Sequence, residues 1–445
     1  MHVTFIQPSV GRKRDGTPYP ASWRMEPLSL AALAALTPSA HARAFVDDRI
    51  ETVPFDRPTD LVCLSVETYT ARRAYQIAAE YRRRGVRTVL GGFHPALLPD
   101  EAAARADAVV IGEAEPVWAE VLDDAAAGAL KARYRAATPP PLDGLAYDRT
   151  LYAGRPYGSL ALVETSRGCR FDCEFCSIAG FFRQSLRSRP VADIVRELRA
   201  LPQRNVFFVD DNIGADPDRL RELCLALLPL RRRWIGQLSL HAVRDDALPR
   251  LMRRSGCEGV LIGFESLDSR ALDAMGKAVN AGGSDYDAAI GRLRKHGLSV
   301  YATFVFGYDG DTRATFEATL RFAVRQKFFF CAFNHLVPFP GTRLFERLRA
   351  EGRLLHDAWW LDESYRFGDL AFRPASLAPE ELAALCHEYR LRFYGPASVL
   401  RRGLDPRANC RTLPKAALYA AQSAAGRREV RRRQGLPLGF PEEAA

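Results

Sequence analysis

The stretch Ser166-Arg167-Gly168-Cys169-Arg170-Phe171-Asp172-Cys173-Glu174-Phe175-Cys176 decides how this chain is read. Three of the nine cysteines fall here at C-x3-C-x2-C spacing, on one loop directly after the apolar run Ser159 to Glu164. Thiols this close in sequence can converge on a single metal centre, whereas Cys63, Cys224, Cys257, Cys331, Cys386 and Cys410 are scattered as buried apolar cysteines usually are. An odd, scattered set makes no disulfide framework, so a reducing compartment is expected, the cytoplasm. Tetrahedral zinc takes four protein ligands, and the next cysteine after Cys176 is Cys224. An iron–sulfur cubane held by three thiolates instead leaves one iron open to a non-protein ligand. Zinc completed by a distant histidine is the alternative.

From Ser159 onward, apolar runs alternate with helical patterns. Strands are expected at Ser159 to Glu164, Val206 to Asp210, Trp234 to Leu240, Gly259 to Phe264, Ser299 to Phe306 and Phe329 to His335, with helices such as Val191 to Leu201 and Thr312 to Gln326 between them. Six strand-helix units in succession predict a partial (β/α)6 barrel of the TIM type, whose active site lies at the C-terminal ends of the strands. The cysteine loop follows the first of those strands.

The residues before the barrel predict a second α/β unit. Strands at His2 to Gln7, Ala42 to Val46, Leu61 to Val66, Arg87 to Leu90 and Ala108 to Ile111 alternate with helical stretches, which reads as a five-stranded doubly wound, Rossmann-like sheet. Ligands of such sheets bind beyond the carboxyl ends of the strands. The segments there are Gln7-Pro8, Asp47-Asp48-Arg49, Ser65 to Thr68, Gly91-Gly92-Phe93-His94 and Gly112-Glu113-Ala114-Glu115. The proline-rich Thr138 to Pro141 ends this unit. Three regions are therefore expected: 1–140, 150–345, and a mainly helical 346–445 with a basic tail.

Of 445 residues, 47% are hydrophobic and 26% charged, which excludes a disordered chain. No apolar stretch is long enough to span a bilayer and no signal peptide precedes His2, so no membrane span is expected. The formal charge of +10 is local: ten basic and two acidic residues lie between Arg401 and Phe440. That tail reads as a solvated or barrel-covering helix rather than as a nucleic-acid site.

The cysteine loop resembles the hallmark of the radical S-adenosylmethionine superfamily, including the aromatic Phe175 just before its last cysteine. The resemblance implies a four-iron four-sulfur cluster on Cys169, Cys173 and Cys176, with S-adenosylmethionine chelated at the open iron. Reduction would then cleave the sulfonium to a deoxyadenosyl radical that abstracts a substrate hydrogen, with electrons from a donor such as flavodoxin or ferredoxin. It further implies roles at later strand ends: Asp210 and Asp211 for the methionyl amine, Glu265 for the ribose or amine, and Phe306 beside the adenine. The Gly-Gly-Glu form usual at the second strand end is absent, since Val209-Asp210-Asp211-Asn212 stands there.

The two-unit arrangement resembles the cobalamin-binding members of that superfamily, over Met1 to about Arg402. On that resemblance Asp47, Arg49, Ser65, Thr68, Gly91, Gly92, His94, Gly112 and Glu113 fall where corrin and tail are held. Many cobalamin carriers have D-x-H-x-x-G; here Asp47-Asp48-Arg49-Ile50-Glu51-Thr52 places arginine at the histidine's position. A guanidinium stays protonated and is a poor ligand, so cobalamin is expected to bind without a histidine ligand.

These readings imply a methyltransferase acting on an unactivated carbon. Two alternatives stay open: a radical cyclase or rearranging enzyme like the anaerobic magnesium-porphyrin cyclase, and, in another class, a corrinoid-binding sensor or carrier. Methylthiotransferases need three further cysteines in the first unit, where only Cys63 is found. The substrate is expected to be a small molecule, large for its kind and apolar or aromatic, from Trp359, Trp360, Tyr365, Phe367 and Phe372 in the closing segment. Aromatic residues in that number equally form core.

Overall fold

A computed structural model describes residues 1–13, 15–19, 25–277 and 286–440. Two parallel sheets organise the chain. The first runs in the order β2-β1-β3-β4-β5-β6, from β1 (His2–Gln7), β2 (Ala42–Asp47), β3 (Leu61–Ser65), β4 (Arg87–Gly91), β5 (Ala108–Ile111) and β6 (Arg133–Arg135). Its central strands are apolar on both faces because helices cover both: Val3, Phe5 and Ile6 of β1 and Leu61 to Leu64 of β3 are all buried. The strand order reverses between β1 and β3, so the switch-point crevice opens between Gln7-Pro8 and Val66-Glu67-Thr68. The sequence predicts five strands; β6 is a sixth, three residues long, and Arg-Tyr-Arg carries no apolar run to announce it.

The second sheet runs β14-β13-β12-β11-β10-β7, from β7 (Leu160–Val163), β10 (Asn205–Phe208), β11 (Arg233–Gln237), β12 (Cys257–Glu265), β13 (Ser299–Phe306) and β14 (Phe330–His335). Every neighbouring pair is parallel, as in a six-stranded partial barrel. Between β7 and β10 the chain adds an antiparallel hairpin absent from the sequence expectation, β8 (Ser166–Gly168) with β9 (Leu186–Ser188). The cysteine loop hangs from this hairpin.

The closing segment belongs to the first sheet's core rather than to an open pocket. Trp359, Trp360 and Tyr365 are almost fully buried, and Trp359 lies 5.0 Å from the ring of Tyr69. Phe372 is buried in the barrel's core instead. These rings join the two units.

The basic tail is likewise part of the fold. In the helix Leu413–Arg433, Lys415 donates to the carbonyls of Glu258, at the start of β12, and Gly297, just before β13, at the base of the barrel. The chain then returns to the first unit, where Gly439 bridges Gly11 and the Gln76 amide donates to the Phe440 carbonyl at 2.8 Å.

Candidate active site

The cysteine loop owes its path to Gly168, which has φ +87, and any Cβ there would meet the Ser185 carbonyl at 2.1 Å. The Gly168 amide donates to Asp211 (3.1 Å), fixing the loop to the second barrel strand. The loop is fastened again at Glu174: its amide donates to the Met275 carbonyl, and its carboxylate accepts from the Tyr308 hydroxyl and Arg347, both at 2.8 Å. Cys173 is buried; Cys169 and Cys176 are half-buried, and Cys176 caps the helix Ser177–Phe182.

Burial pushes the Cys173 thiol up to about 11 and raises Cys169 and Cys176 as well. Backbone amides of Phe171, Ile178 and Ala179, and the Lys277 ammonium, oppose that rise. The three thiols are near enough to raise one another. Yet among the described residues no three Cys, His, Asp or Glu side chains converge where one ion could sit. Thiolates on one zinc lie within about 4 Å of each other. A donor set of three thiols from one loop suits a cubane, whose positive irons would hold the thiols ionised.

Lys277 is the residue the sequence reading misses. Its ammonium pairs with Glu265 at 2.9 Å. Burial works against the Lys277 charge, but Glu265 and the thiols outweigh it and leave its pKa raised. Glu265 closes β12 at φ +64, and its carboxylate folds back over Gly263, where a Cβ would meet Oε1 at 2.1 Å. A glycine before a strained acid, followed by a cation after the next helix, was the available signal.

The remaining barrel residues divide. Asp210 is buried and accepts from the Thr165 hydroxyl (2.7 Å) and the Ser166 hydroxyl (2.6 Å), which ties β7 to β10; burial raises its carboxyl to about 6. Asp211 is also raised to about 6, by burial first. Phe175 is half-buried against the barrel core. Phe306 is a correction: it stacks on Phe316 at 3.8 Å, between sheet and helix, so it cannot lie beside an adenine in the barrel. Strand residues alternate faces, and its half-buried neighbours Val305 and Thr303 take the barrel side.

At the first unit's strand ends, several expected ligand-binding groups are occupied by one another. Asp47 is fully buried and accepts from Arg49 (2.7 Å) and from the Tyr157 hydroxyl (2.7 Å). His94 is fully buried, with Nε2 at 3.0 Å from Glu101 and Nδ1 at 3.3 Å from Thr68. Neither ring nitrogen is available to a ligand. Glu113 takes Arg167 (2.6 Å) and Arg187, both from the barrel, and Arg167 also meets Glu115 and Glu164. Gly92, at φ +105, lets the backbone pass Val66, whose carbonyl would be 2.7 Å from a Cβ. Ser65 is half-buried beside Ser29, and Gly91 meets only Val110. Gly112 has φ +89 and nothing within 4 Å of its missing Cβ, so its backbone faces open space. Glu67, on the switch-point crevice, is exposed, yet the surrounding protein raises its carboxyl.

Residues 163–323 match the family model for the radical SAM superfamily. Over 389 residues the chain is 30% identical to bacteriochlorophyllide d C-12(1)-methyltransferase of Chlorobaculum tepidum, covering 84% of each chain. The chain belongs to the radical S-adenosylmethionine superfamily. A second relative of this radical S-adenosylmethionine enzyme, bacteriochlorophyllide d C-8(2)-methyltransferase of the same organism, is 29% identical over 75% of this chain and 78% of its own. In fold, it resembles the radical S-adenosylmethionine methyltransferase TsrM from Kitasatospora setae, solved with cobalamin and a [4Fe-4S] cluster bound. The TM-score is 0.69 at 15% identity, over 97% of this chain and 99% of that one.

Proposed function

We propose that this radical S-adenosylmethionine enzyme is a cobalamin-dependent C-methyltransferase that places a methyl group on an unactivated carbon of a large apolar acceptor of the tetrapyrrole kind. The carrying observation is the juxtaposition of the three-thiol loop and the Glu265–Lys277 pair at the barrel mouth, clamped by Arg167 to the strand-end edge of the first sheet. The relatives' reactions support methyl transfer, and their substrates support the acceptor class.

When bound, the cluster with S-adenosylmethionine supplies a carbon-centred radical, and the corrinoid supplies the methyl group. Cys169, Cys173 and Cys176 would hold three irons and leave one free. Lys277 presents its ammonium to the methionyl carboxylate, and Glu265 accepts from the amine or the ribose hydroxyls. Asp211 fixes the cysteine loop through Gly168. On the other side, residues 1–140 form the layer that would hold cobalamin, at the strand ends around the β1–β3 switch point and Gly112. Residues 150–345 form the barrel and 346–445 the closing segment. The ion pairs of Arg167 and Arg187 shut the seam between the layers and keep water from the radical. A small flavoprotein or ferredoxin supplies the electron.

Anaerobic reconstitution tests the reading: wild-type protein is expected to take up iron and sulfide, retain a corrin spectrum and cleave S-adenosylmethionine, while Cys173→Ala loses iron and cleavage. Unchanged iron in that variant, or a corrin-free wild type grown with cobalamin, defeats the proposal.

A further inference from the structure

Among the described residues eight large apolar side chains are exposed, and four of them lie between 400 and 418: Leu400 (67%), Leu404 (69%), Leu413 (87%) and Leu418 (47%). Singly exposed leucines are ordinary; half of the set within nineteen residues is not. They stand on two packed helices, Pro396–Gly403 and Leu413–Arg433, joined by a bond from the Tyr419 hydroxyl to the Val399 carbonyl at 2.8 Å. Val399 adjoins Leu400 and Tyr419 adjoins Leu418, so exposed leucines stand on both arms of one hairpin.

The hairpin's charge has one sign. Arg401, Arg407 and Arg411 are exposed, and none of them has a carboxylate within 4 Å among the described residues. The acid between them, Asp405, is buried and held by Arg294 at 3.1 Å. Exposed Arg428, Arg431 and Arg432 extend the basic surface along the second helix.

We propose that this hairpin docks the enzyme on an anionic lipid surface, with the leucines entering the headgroup layer and the arginines meeting lipid phosphates. Its exposed arginines outnumber its one half-buried acid, Glu429, so a second copy packed on it would set arginine against arginine. It also lies at the barrel's base, where Lys415 reaches the start of β12 and the chain before β13, opposite the cysteine loop. Docking therefore leaves the reactive edge facing the water and its electron donor. The inference does not depend on methyl transfer.

Co-sedimentation of the full chain with vesicles tests it. The protein is expected to bind phosphatidylcholine–phosphatidylglycerol vesicles, to release at high salt, and to ignore phosphatidylcholine alone. Leu404→Glu with Leu413→Glu should lower partitioning at least roughly tenfold, and each of Arg401→Glu and Arg407→Glu by roughly fivefold, with thermal unfolding and S-adenosylmethionine cleavage unchanged. Absence of binding to the mixed vesicles, equal binding to both kinds, or variants that bind as wild type each overturn the proposal. So does a wild-type dimer in light scattering that the leucine substitutions dissociate, which assigns the face to a second copy.

Discussion

The two strand-end edges that face each other in this molecule use their charges differently. At the barrel's edge the Glu265–Lys277 pair lies beside three thiols. At the first sheet's edge the charged groups are spent inside the protein: Asp47 on Arg49, His94 on Glu101, Glu113 on Arg167. On the proposed function, one edge would recognise by charge, the other by backbone and shape. A compact zwitterion such as a methionyl group needs fixed opposite charges, whereas a large macrocycle is held by area and by backbone amides that come close to it.

Breaking the charge-based edge should have the largest effect. Lys277→Met removes the cation and leaves Glu265 buried without a partner, a loss of about 3–5 kcal/mol for such pairs. The expected outcome is a KM for S-adenosylmethionine raised at least roughly a hundredfold, with iron content retained; loss of iron instead would make Lys277 part of the cluster's support alone.

The seam between the edges comes next. Arg167→Ala strips one cation from Glu113, Glu115 and Glu164, which then repel one another; denaturant unfolding should show a loss of about 3 kcal/mol. Radical formation should also uncouple from transfer, visible as more deoxyadenosine per methylated product. A variant that unfolds less stably yet stays fully coupled would reduce Arg167 to a structural tie.

His94→Ala should cost about 2–3 kcal/mol, from the vacated space and the Thr68 hydroxyl left without its partner, Glu101 keeping Tyr75 and Trp360, while corrin absorption persists. Loss of corrin with an unchanged melting temperature would return His94 to the ligand set. Smallest in stability is Gly112→Ala, about 1 kcal/mol for placing a side chain at positive φ, accompanied by a selective drop in corrin retention measured by absorbance.

The cysteine loop was legible in the sequence because a metal site on one loop writes its spacing into adjacent residues. Strands were legible as apolar runs, while β6 and the β8–β9 hairpin, three residues per strand, are too short to leave a pattern. Phe306 shows the limit of a strand-end motif: the right strand is read off, but which of two alternating faces a residue takes is settled by packing, here against Phe316 and Phe333. Lys277 and the partners of Asp47, His94 and Glu113 escaped because each pair or network is closed by tertiary contact. Nor does composition distinguish a pocket lined with Trp359, Trp360 and Tyr365 from a core built of them; their burial does.

The bridge between Gly11 and Gly439 orders events in time. The loop after β1 flanks the switch-point crevice, and it exchanges hydrogen bonds with chain made more than four hundred residues later: the Tyr19 hydroxyl donates to the Pro437 carbonyl, 418 residues away. Domains usually fold as they emerge during synthesis, the N-terminal one first. Here the first layer's rim stays unfinished until residue 439 has been made. On the proposed function, corrinoid loading would be deferred until the barrel already stands beneath that rim, and the two layers would mature together and not in the order in which they are translated.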